Sequence, residues 1–269
     1  MTAIALTIAG SDSGGGAGIQ ADLKTFSALG VYGASVITAL TAQNTLGVTG
    51  IHDIEPDFVR SQMDAVFSDL DVNAVKIGML SQPRVIEAVT GGLAAHDSER
   101  VVLDPVMVAA SGDPLLAEAA VSALREMLIP AVRLITPNLH EAARLLNCPA
   151  AENSAEMERQ ADRLIDLGAK AVLLKGGHGS GPESSDLLVD GESRQWFTSK
   201  RHPTQNTHGT GCTLSSAIAA GMAKGEDLRT AVANAKTYIT AAIIAADQLK
   251  IGAGHGPVHH FHAIWNDPT

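Results

Sequence analysis

The stretch Asn206-Thr207-His208-Gly209-Thr210-Gly211-Cys212-Thr213-Leu214-Ser215-Ser216 is a glycine-rich turn that runs straight into small residues with helical spacing. Two glycines around Thr210 let successive backbone N–H groups point into one concavity, and a helix starting there adds partial positive charge behind them. Such a nest binds anions, phosphate among them. Cys212 falls in the first turn of that helix, where the same field favours thiolate. An anion cradle and a proton acceptor therefore lie within one residue of each other. The same residues also fit an ordinary loop-to-helix joint with a packed cysteine, so the chemical reading needs further groups.

Three such groups stand at the ends of apolar runs. Asp104 follows Val101-Val102-Leu103, and Asn138 with Glu141 opens a helical stretch after Thr136-Pro137. Hard oxygen ligands at neighbouring strand ends suit Mg²⁺, which retains several waters. Read structurally instead, Asp104 is a turn former before proline and Glu141 a first-turn helix carboxylate. Lys175 ends another apolar run, and its ammonium can neutralise charge between phosphates. Gln43 offers one acceptor and two donors, so it can pair with a ring nitrogen and an exocyclic amine on a flat heterocycle, or else brace a loop. Asp22 and Lys24 lie on the first helix. His208, beside the nest, is expected to be solvent-side polar filler rather than a second base. His259, His260 and His262 lack paired helical spacing with a third ligand, so they read as a packed or dimer-facing tail rather than a metal site.

The elements that position these groups follow from hydrophobic pattern. An apolar run from Ala3 to Ala9 leads into Gly10-Ser11-Asp12-Ser13-Gly14-Gly15-Gly16 and then a helical pattern from about Ala17 to Leu29. Further strands are expected at Ala34–Ala42, Val72–Ile77, Arg100–Leu103, Leu134–Thr136 and Ala171–Leu174. Helical patterns fall at Pro56–Leu70, Pro83–Ala95, Leu115–Leu128 and Ala155–Leu167, and two helices, Cys212–Lys224 and Asp227–Leu249, close the chain. This alternation predicts a doubly wound, mainly parallel α/β sheet flanked by helices. Asp186–Asp190 and Arg194–Thr198 around Gly191-Glu192 read as an edge β-hairpin. Ligands in such sheets lie outside the carboxyl ends of the strands. The polar clusters Gly10-Ser11-Asp12, Gln43-Asn44, Gly78-Met79, Asp104 to Met107, Pro137-Asn138 and Lys175-Gly176-Gly177-His178 all stand there, which predicts one cleft.

Neither common nucleotide motif is complete in this chain. Gly16-Ala17-Gly18-Ile19-Gln20-Ala21 fits G-x-G-x-x-A, but the second strand ends in Gln43-Asn44 where a dinucleotide site needs an acidic residue for the ribose. No G-x-x-x-x-G-K-[ST] string occurs, so a triphosphate would have to use the nest before Cys212.

Bulk composition narrows the class. Hydrophobic residues make up 45% of 269 positions with aromatics at 3%, so the core must be built from Ala, Val, Ile and Leu. No linker divides the chain, and one domain over residues 1–269 is expected. A net charge of −10 and the absence of a Lys/Arg stripe argue against nucleic acid. No basic leader or run of about eighteen apolar residues appears, so membrane insertion and export are not expected and a cytoplasmic protein is. Cys148 and Cys212 are expected as free thiols, with Cys148 packing or capping a helix end.

Six strings, in order, are similar to the hydroxymethylpyrimidine/phosphomethylpyrimidine kinases of thiamine synthesis, in the ribokinase-like superfamily: Ala9 to Asp22, Lys76 to Leu80, Leu103 to Met107, Thr136 to Ala142, Lys175 to His178 and Thr207 to Thr213. The likeness spans about Ala3 to Trp265. It implies a ribokinase-like fold, a homodimer, and ATP-dependent phosphorylation of 4-amino-5-hydroxymethyl-2-methylpyrimidine and then of its monophosphate. By position it implies a pyrimidine pocket at Gly10, Asp22, Gln43, Met79 and Val106. It further implies a magnesium and triphosphate set at Asp104, Asn138 and Glu141, with Lys175 bridging phosphates. Thr207, Gly209, Thr210 and Gly211 would form the anion hole, and Cys212 stands where most of the superfamily places an aspartate base. Some pyridoxal kinases share that cysteine, so vitamin B6 phosphorylation is the rival reading. A binder without turnover is a third, against which the lysine, acidic pair and cysteine argue together.

Overall fold

The computed structural model describes residues 1–107, 116–177, 181–191 and 193–265. β1 (Ile4–Asp12) leads through α1 (Gly18–Ala28) to β2 (Tyr32–Asn44), which turns back as β3 (Gly47–Asp53). Then come α2 (Pro56–Phe67), β4 (Ala74–Ile77), α3 (Pro83–Ala95), β5 (Val101–Leu103) and α4 (Glu118–Ala123). The second half runs β6 (Leu134–Ile135), α5 (Leu139–Leu146), α6 (Ser154–Asp166), β7 (Ala171–Leu174), β8 (Glu183–Asp190) and β9 (Ser193–Lys200), ending in α7 (Thr210–Ala223) and α8 (Leu228–Ile244).

The nine strands form one sheet in the order β3-β2-β1-β4-β5-β6-β7-β8-β9. The six from β2 to β7 are parallel, while β3 at one end and β8 with β9 at the other are antiparallel additions. Chain order reverses direction between β1 and β4, which lie side by side with Ile8 opposite Ile77. A crevice opens at such a switch point because the connections leave toward opposite faces.

Both faces are covered, so the parallel strands are apolar throughout. On one face Leu6, Ile8, Ile77 and Leu103 pack under α2 to α6. On the other, Ala5, Val102, Leu134 and Leu173 meet α1, α7 and α8 through Phe26, Leu214, Ile218 and Val232. Helix α7 is buried from Thr213 to Ala223, which its small side chains permit. A Cβ on Gly221 would already be 3.0 Å from Ala231 Cβ of α8.

The expected doubly wound sheet and edge hairpin are present, the latter longer than expected; its Glu192 lies outside the described residues. Three expectations are corrected. β3 was not anticipated, because its residues are mostly exposed and carry no buried alternation. The helix expected over Leu115–Leu128 is regular only from Glu118 to Ala123, then passes into a π turn and a 3₁₀ turn at Ile129–Ala131 containing Pro130; Leu115 lies outside the described residues. The last helix stops at Ile244, with a 3₁₀ turn at Ala246–Gln248. Among the described residues no helix is long and apolar enough to cross a membrane.

Candidate active site

A cavity of about 650 Å³ runs along the carboxyl ends of the parallel strands and on past the amino end of β8 and the carboxyl end of β9. Its near wall is the loop after β1. Asp12 organises that loop: Oδ1 accepts from the Gly14 amide at 2.8 Å, and Oδ2 from Gly16 at 3.0 Å and Ala17 at 2.8 Å. Burial pushes the Asp12 carboxyl up, but His208 and these amides hold it below the usual range. The glycine-loop amides are thus committed to Asp12, which explains physically why this G-x-G-x-x-A string is no pyrophosphate cradle. Gly18 has φ +56, and a Cβ there would lie 2.3 Å from the Gly10 carbonyl.

The nest lies across from this loop. Gly209 caps α7 with φ +79, and a Cβ on it would meet Gly16 O at 1.9 Å, so only glycine fits. Thr207 O accepts from both the amide and the hydroxyl of Thr210. No side chain caps this helix end, and Gly209, Thr210, Gly211 and Cys212 all line the cavity. Lys175 Nζ and Asp104 Oδ2 face Gly211, at 3.3 and 3.4 Å from where its Cβ would be.

Asp104, at the end of β5, accepts from Lys175 Nζ at 2.7 Å and Thr136 Oγ1 at 3.2 Å through Oδ1, while buried Oδ2 has no partner. Its burial pushes the carboxyl up, but the charges of Lys175 and Lys76 hold it below its ordinary value. Glu141 lies 4.0 Å from Lys175 on the far side and accepts the Asn138 amide at 2.7 Å. Asn138 Oδ1 accepts from His140 and Glu141, completing a capping box that starts α5. Burial and the Asp104 charge raise Glu141 to about 7, against the pull of Lys175. Among the described residues no three His, Cys, Asp or Glu side chains cluster as a ready metal cage.

Gln43, Met79, Val106 and Gly10 line the other part of the cavity. A Cβ on Gly10 would press on Met79 Cε at 2.8 Å, so the two shape one wall together. Asp22 does not reach this wall. It is fully buried, with its oxygens accepting from Lys76 Nζ (2.9 Å to each), Thr7 (2.6 Å) and Ser216 (2.6 Å). Lys76 stands directly behind the cavity wall and Asp22 deeper still, both without exposed surface, so Asp22 is corrected from a pocket residue to part of the support beneath the wall.

Two further expectations reverse. The helix start was expected to favour thiolate at Cys212; instead the thiol is raised to about 11, because burial and the carboxylates of Asp22 and Asp104 outweigh Lys76 and the Gly18 amide. His208, expected at the solvent side, is buried against Gly16, with Nε2 at 3.0 Å from Asp12 and 3.4 Å from Gln43. His259 and His260 are packed as expected, His260 bonding Thr213 Oγ1 at 3.1 Å. His178 lies outside the described residues. Sequence reasoning did not single out Lys76, although a lysine inside Ala74–Ile77 was a signal. It also missed Lys236, which holds Asp186 at 2.7 Å while Asp186 accepts the Gly176 amide at 2.9 Å and so steadies the residue after Lys175.

A sequence model of the family described as Phosphomethylpyrimidine kinase matches residues 12–259. The hydroxymethylpyrimidine/phosphomethylpyrimidine kinase of Rhizobium meliloti is 61% identical over 267 residues, covering 99% of this chain and all of that one. Among solved structures, phosphomethylpyrimidine kinase from Clostridium difficile is 45% identical with TM-score 0.80, covering 89% of this chain and 99% of that one. The ADP complex of Bacillus subtilis pyridoxal kinase is 37% identical with TM-score 0.91, covering 99% and 100%. The fold is accordingly that of the ribokinase-like vitamin kinases. With 248 consecutive positions from Asp12 to His259 inside the family's pattern, the chain is a kinase and belongs to the phosphomethylpyrimidine kinase family.

Proposed function

We propose that this kinase transfers the γ-phosphoryl group of ATP to the hydroxymethyl oxygen of 4-amino-5-hydroxymethyl-2-methylpyrimidine, and in a second round to the monophosphate, for thiamine synthesis. The observation that carries this is the arrangement along one cavity: Gln43 at one end, the Lys175–Asp104 pair facing Gly211 in the middle, and the Cys212 thiol beside them. An O–P bond forms as ADP leaves, and the hydroxyl proton must go to a base.

In this reading Gln43 reads the aminopyrimidine edge, and Gly10, Met79 and Val106 shape the ring slot. The amides of Thr207, His208 and Thr210 are donated to the Gln205, Gly256 and Thr207 carbonyls, so the Gly209 and Gly211 amides with the Lys175 ammonium hold the transferring phosphate, whose charge they stabilise as it moves. Asn138 has its side-chain oxygen committed to the α5 cap, which leaves its amide N–H₂ as the group able to donate to a phosphate. The donor set fits Mg²⁺, because Asp104 Oδ2 is buried without a partner and Glu141 stands nearby. These two carboxylates would hold the ion, with water and phosphate oxygens as its other ligands. When bound, it supplies charge neutralisation on the triphosphate.

Cys212 is the proposed proton acceptor. It rests as a thiol, so it takes that role only after losing its own proton, and the loose transition state of phosphoryl transfer makes alignment weigh more than the base. The resemblance also implies one domain working as a cytoplasmic homodimer, and light scattering on the purified chain reads the dimer.

Similarity to a pyridoxal kinase favours a second reading, phosphorylation of vitamin B6. A coupled ADP-release assay over hydroxymethylpyrimidine, its monophosphate, pyridoxine, pyridoxal and ribose separates them. The pyrimidines are expected to give the highest kcat/KM; a preference for pyridoxal moves the assignment, and ligand binding without ADP release removes the kinase reading.

A further inference from the structure

We infer that His208 is a specificity-determining residue: its ring N–H fixes which way round the Gln43 carboxamide stands, and so selects a 4-amino over a 4-oxo pyrimidine. The inference rests on Gln43 as the reader of the heterocycle.

The position of the ring is set by the backbone. His208 donates its amide to Gly256 O at 3.0 Å and accepts from the Val258 amide at 3.3 Å, pairing as a short bridge with Pro257. Its edge packs so tightly on Gly16 that a Cβ there would lie 2.3 Å from Cδ2. Held this way, Nε2 faces Asp12 Oδ2 at 3.0 Å. An ionised carboxylate can only accept, so Nε2 carries the proton.

That proton decides Gln43. The amide oxygen and nitrogen of a glutamine are told apart by their partners. In the structure Nε2 of Gln43 lies 3.4 Å from His208 Nε2 and Oε1 lies 3.1 Å from Thr41 Oγ1, and the partners' protons require the two to be exchanged. Thr41 has one hydroxyl proton, and Ser11 O takes it at 2.9 Å, so Thr41 is free to accept. Placing the Gln43 oxygen toward His208 lets it share, at 3.4 Å, the Nε2 proton whose main acceptor is Asp12 at 3.0 Å, and the nitrogen then donates to Thr41. The reverse sets two N–H groups against each other at His208. With both anchors made, Gln43 keeps one free N–H beside one free lone pair. Its hydrogen-bonding edge has a fixed handedness: acceptor on the His208 side, donor on the Thr41 side. A ring nitrogen next to an exocyclic amine matches that edge. A ring N–H next to an oxo group needs the edge reversed, at the cost of the His208 contact.

The test measures kcat/KM for 4-amino-5-hydroxymethyl-2-methylpyrimidine and for its 4-oxo analogue. For His208→Leu the amino-over-oxo ratio is expected to fall about tenfold, the loss of one hydrogen bond's discrimination, while KM for ATP stays within about twofold. His208→Gln, which returns an amide N–H near the position of Nε2, is expected to restore most of the ratio, a recovery that a packing role would not produce. An unchanged ratio in His208→Leu overturns the proposal. Should that variant fail to fold, Thr41→Val removes the opposite anchor with His208 intact, and an unchanged ratio there overturns it equally. Gln43→Leu separates the two levels. If it leaves KM for the pyrimidine unchanged, the ring placement falls and this inference with it. If it raises that KM while His208→Leu keeps the ratio, only this inference falls.

Discussion

Lys76 Nζ stands 2.9 Å from both carboxylate oxygens of Asp22, and neither side chain has any exposed surface. Asp22 also takes the hydroxyls of Thr7 and Ser216, so all its strong acceptor positions are occupied from inside the protein. Removing one member of such a pair leaves a buried charge alone. Asp22→Ala is therefore expected to cost about 3–5 kcal/mol in urea unfolding, and adding Lys76→Met should recover part of that loss. If Asp22→Ala instead kept full stability and changed only the KM for pyrimidine, Asp22 would be a pocket residue after all.

Lys175 joins the phosphate cradle to the acidic pair. Lys175→Met should lower turnover about 10²–10³-fold. Lys175→Arg should recover little, because a flat guanidinium does not replace a compact ammonium 2.7 Å from Asp104. Steady-state kinetics with both substrates varied decides this. A variant whose only defect is a raised KM for pyrimidine would place the phosphates elsewhere.

Gly209→Ala tests the cradle itself. With φ +79 and the Gly16 carbonyl 1.9 Å from a notional Cβ, the methyl must force the β1 loop and the α7 start apart. A displacement of that size is worth about 10² in turnover where alignment carries the reaction. Wild-type kcat in a folded Gly209→Ala protein would show that the turn holds no phosphate.

Because the Cys212 thiol is raised to about 11, only a minor fraction is thiolate at neutral pH. That fraction grows tenfold per pH unit below the pKa, so kcat should climb toward alkaline pH if Cys212 accepts the proton. Cys212→Ala should be slower and lose this slope while binding pyrimidine nearly as well. An identical pH profile in the variant assigns the proton to another group.

Glu141 gives a stability signature in the metal-free protein. Its folded value of about 7 lies above its ordinary 4.5, so between those pH values the folded state keeps a proton that the unfolded chain has released. Stability therefore falls as pH rises through that window, and the full cost is present above it. Glu141→Gln keeps an acceptor for the Asn138 amide and removes the charge. In EDTA its melting temperature should exceed wild type by on the order of 5 °C at pH 8, with a smaller difference at pH 5, while turnover drops. An equal difference at both pH values would mean that Glu141 does not titrate in this range.

The strand ends were readable in the sequence because apolar runs and the polar residues closing them are local features. Asp104, Asn138, Lys175 and the Gly209–Gly211 turn could be placed from those features alone. What escaped depends on contacts between distant segments. Whether Asp22 faces a ligand or a lysine is decided by Lys76, 54 positions away. His208 looked like a surface residue until Asp12, Gly16 and Gly256 closed around it. The Cys212 thiol was misjudged for a related reason: a helix start is visible in sequence, whereas burial beside two carboxylates is not. β3 was missed because a half-exposed strand hydrogen-bonded to one neighbour carries no hydrophobic rhythm.

The antiparallel additions to the sheet flank opposite ends of the cavity, β3 next to Gln43 at the end of β2, and β8 with β9 beside Ser184 and Lys200. Between them sit Asp104 and Lys175 at the ends of parallel strands and the Gly209–Cys212 turn at the start of α7. Each outer ribbon can consequently be retailored, in length or side chains, without moving the phosphate machinery, and a lineage of vitamin kinases can change its menu by editing one margin while inheriting the engine.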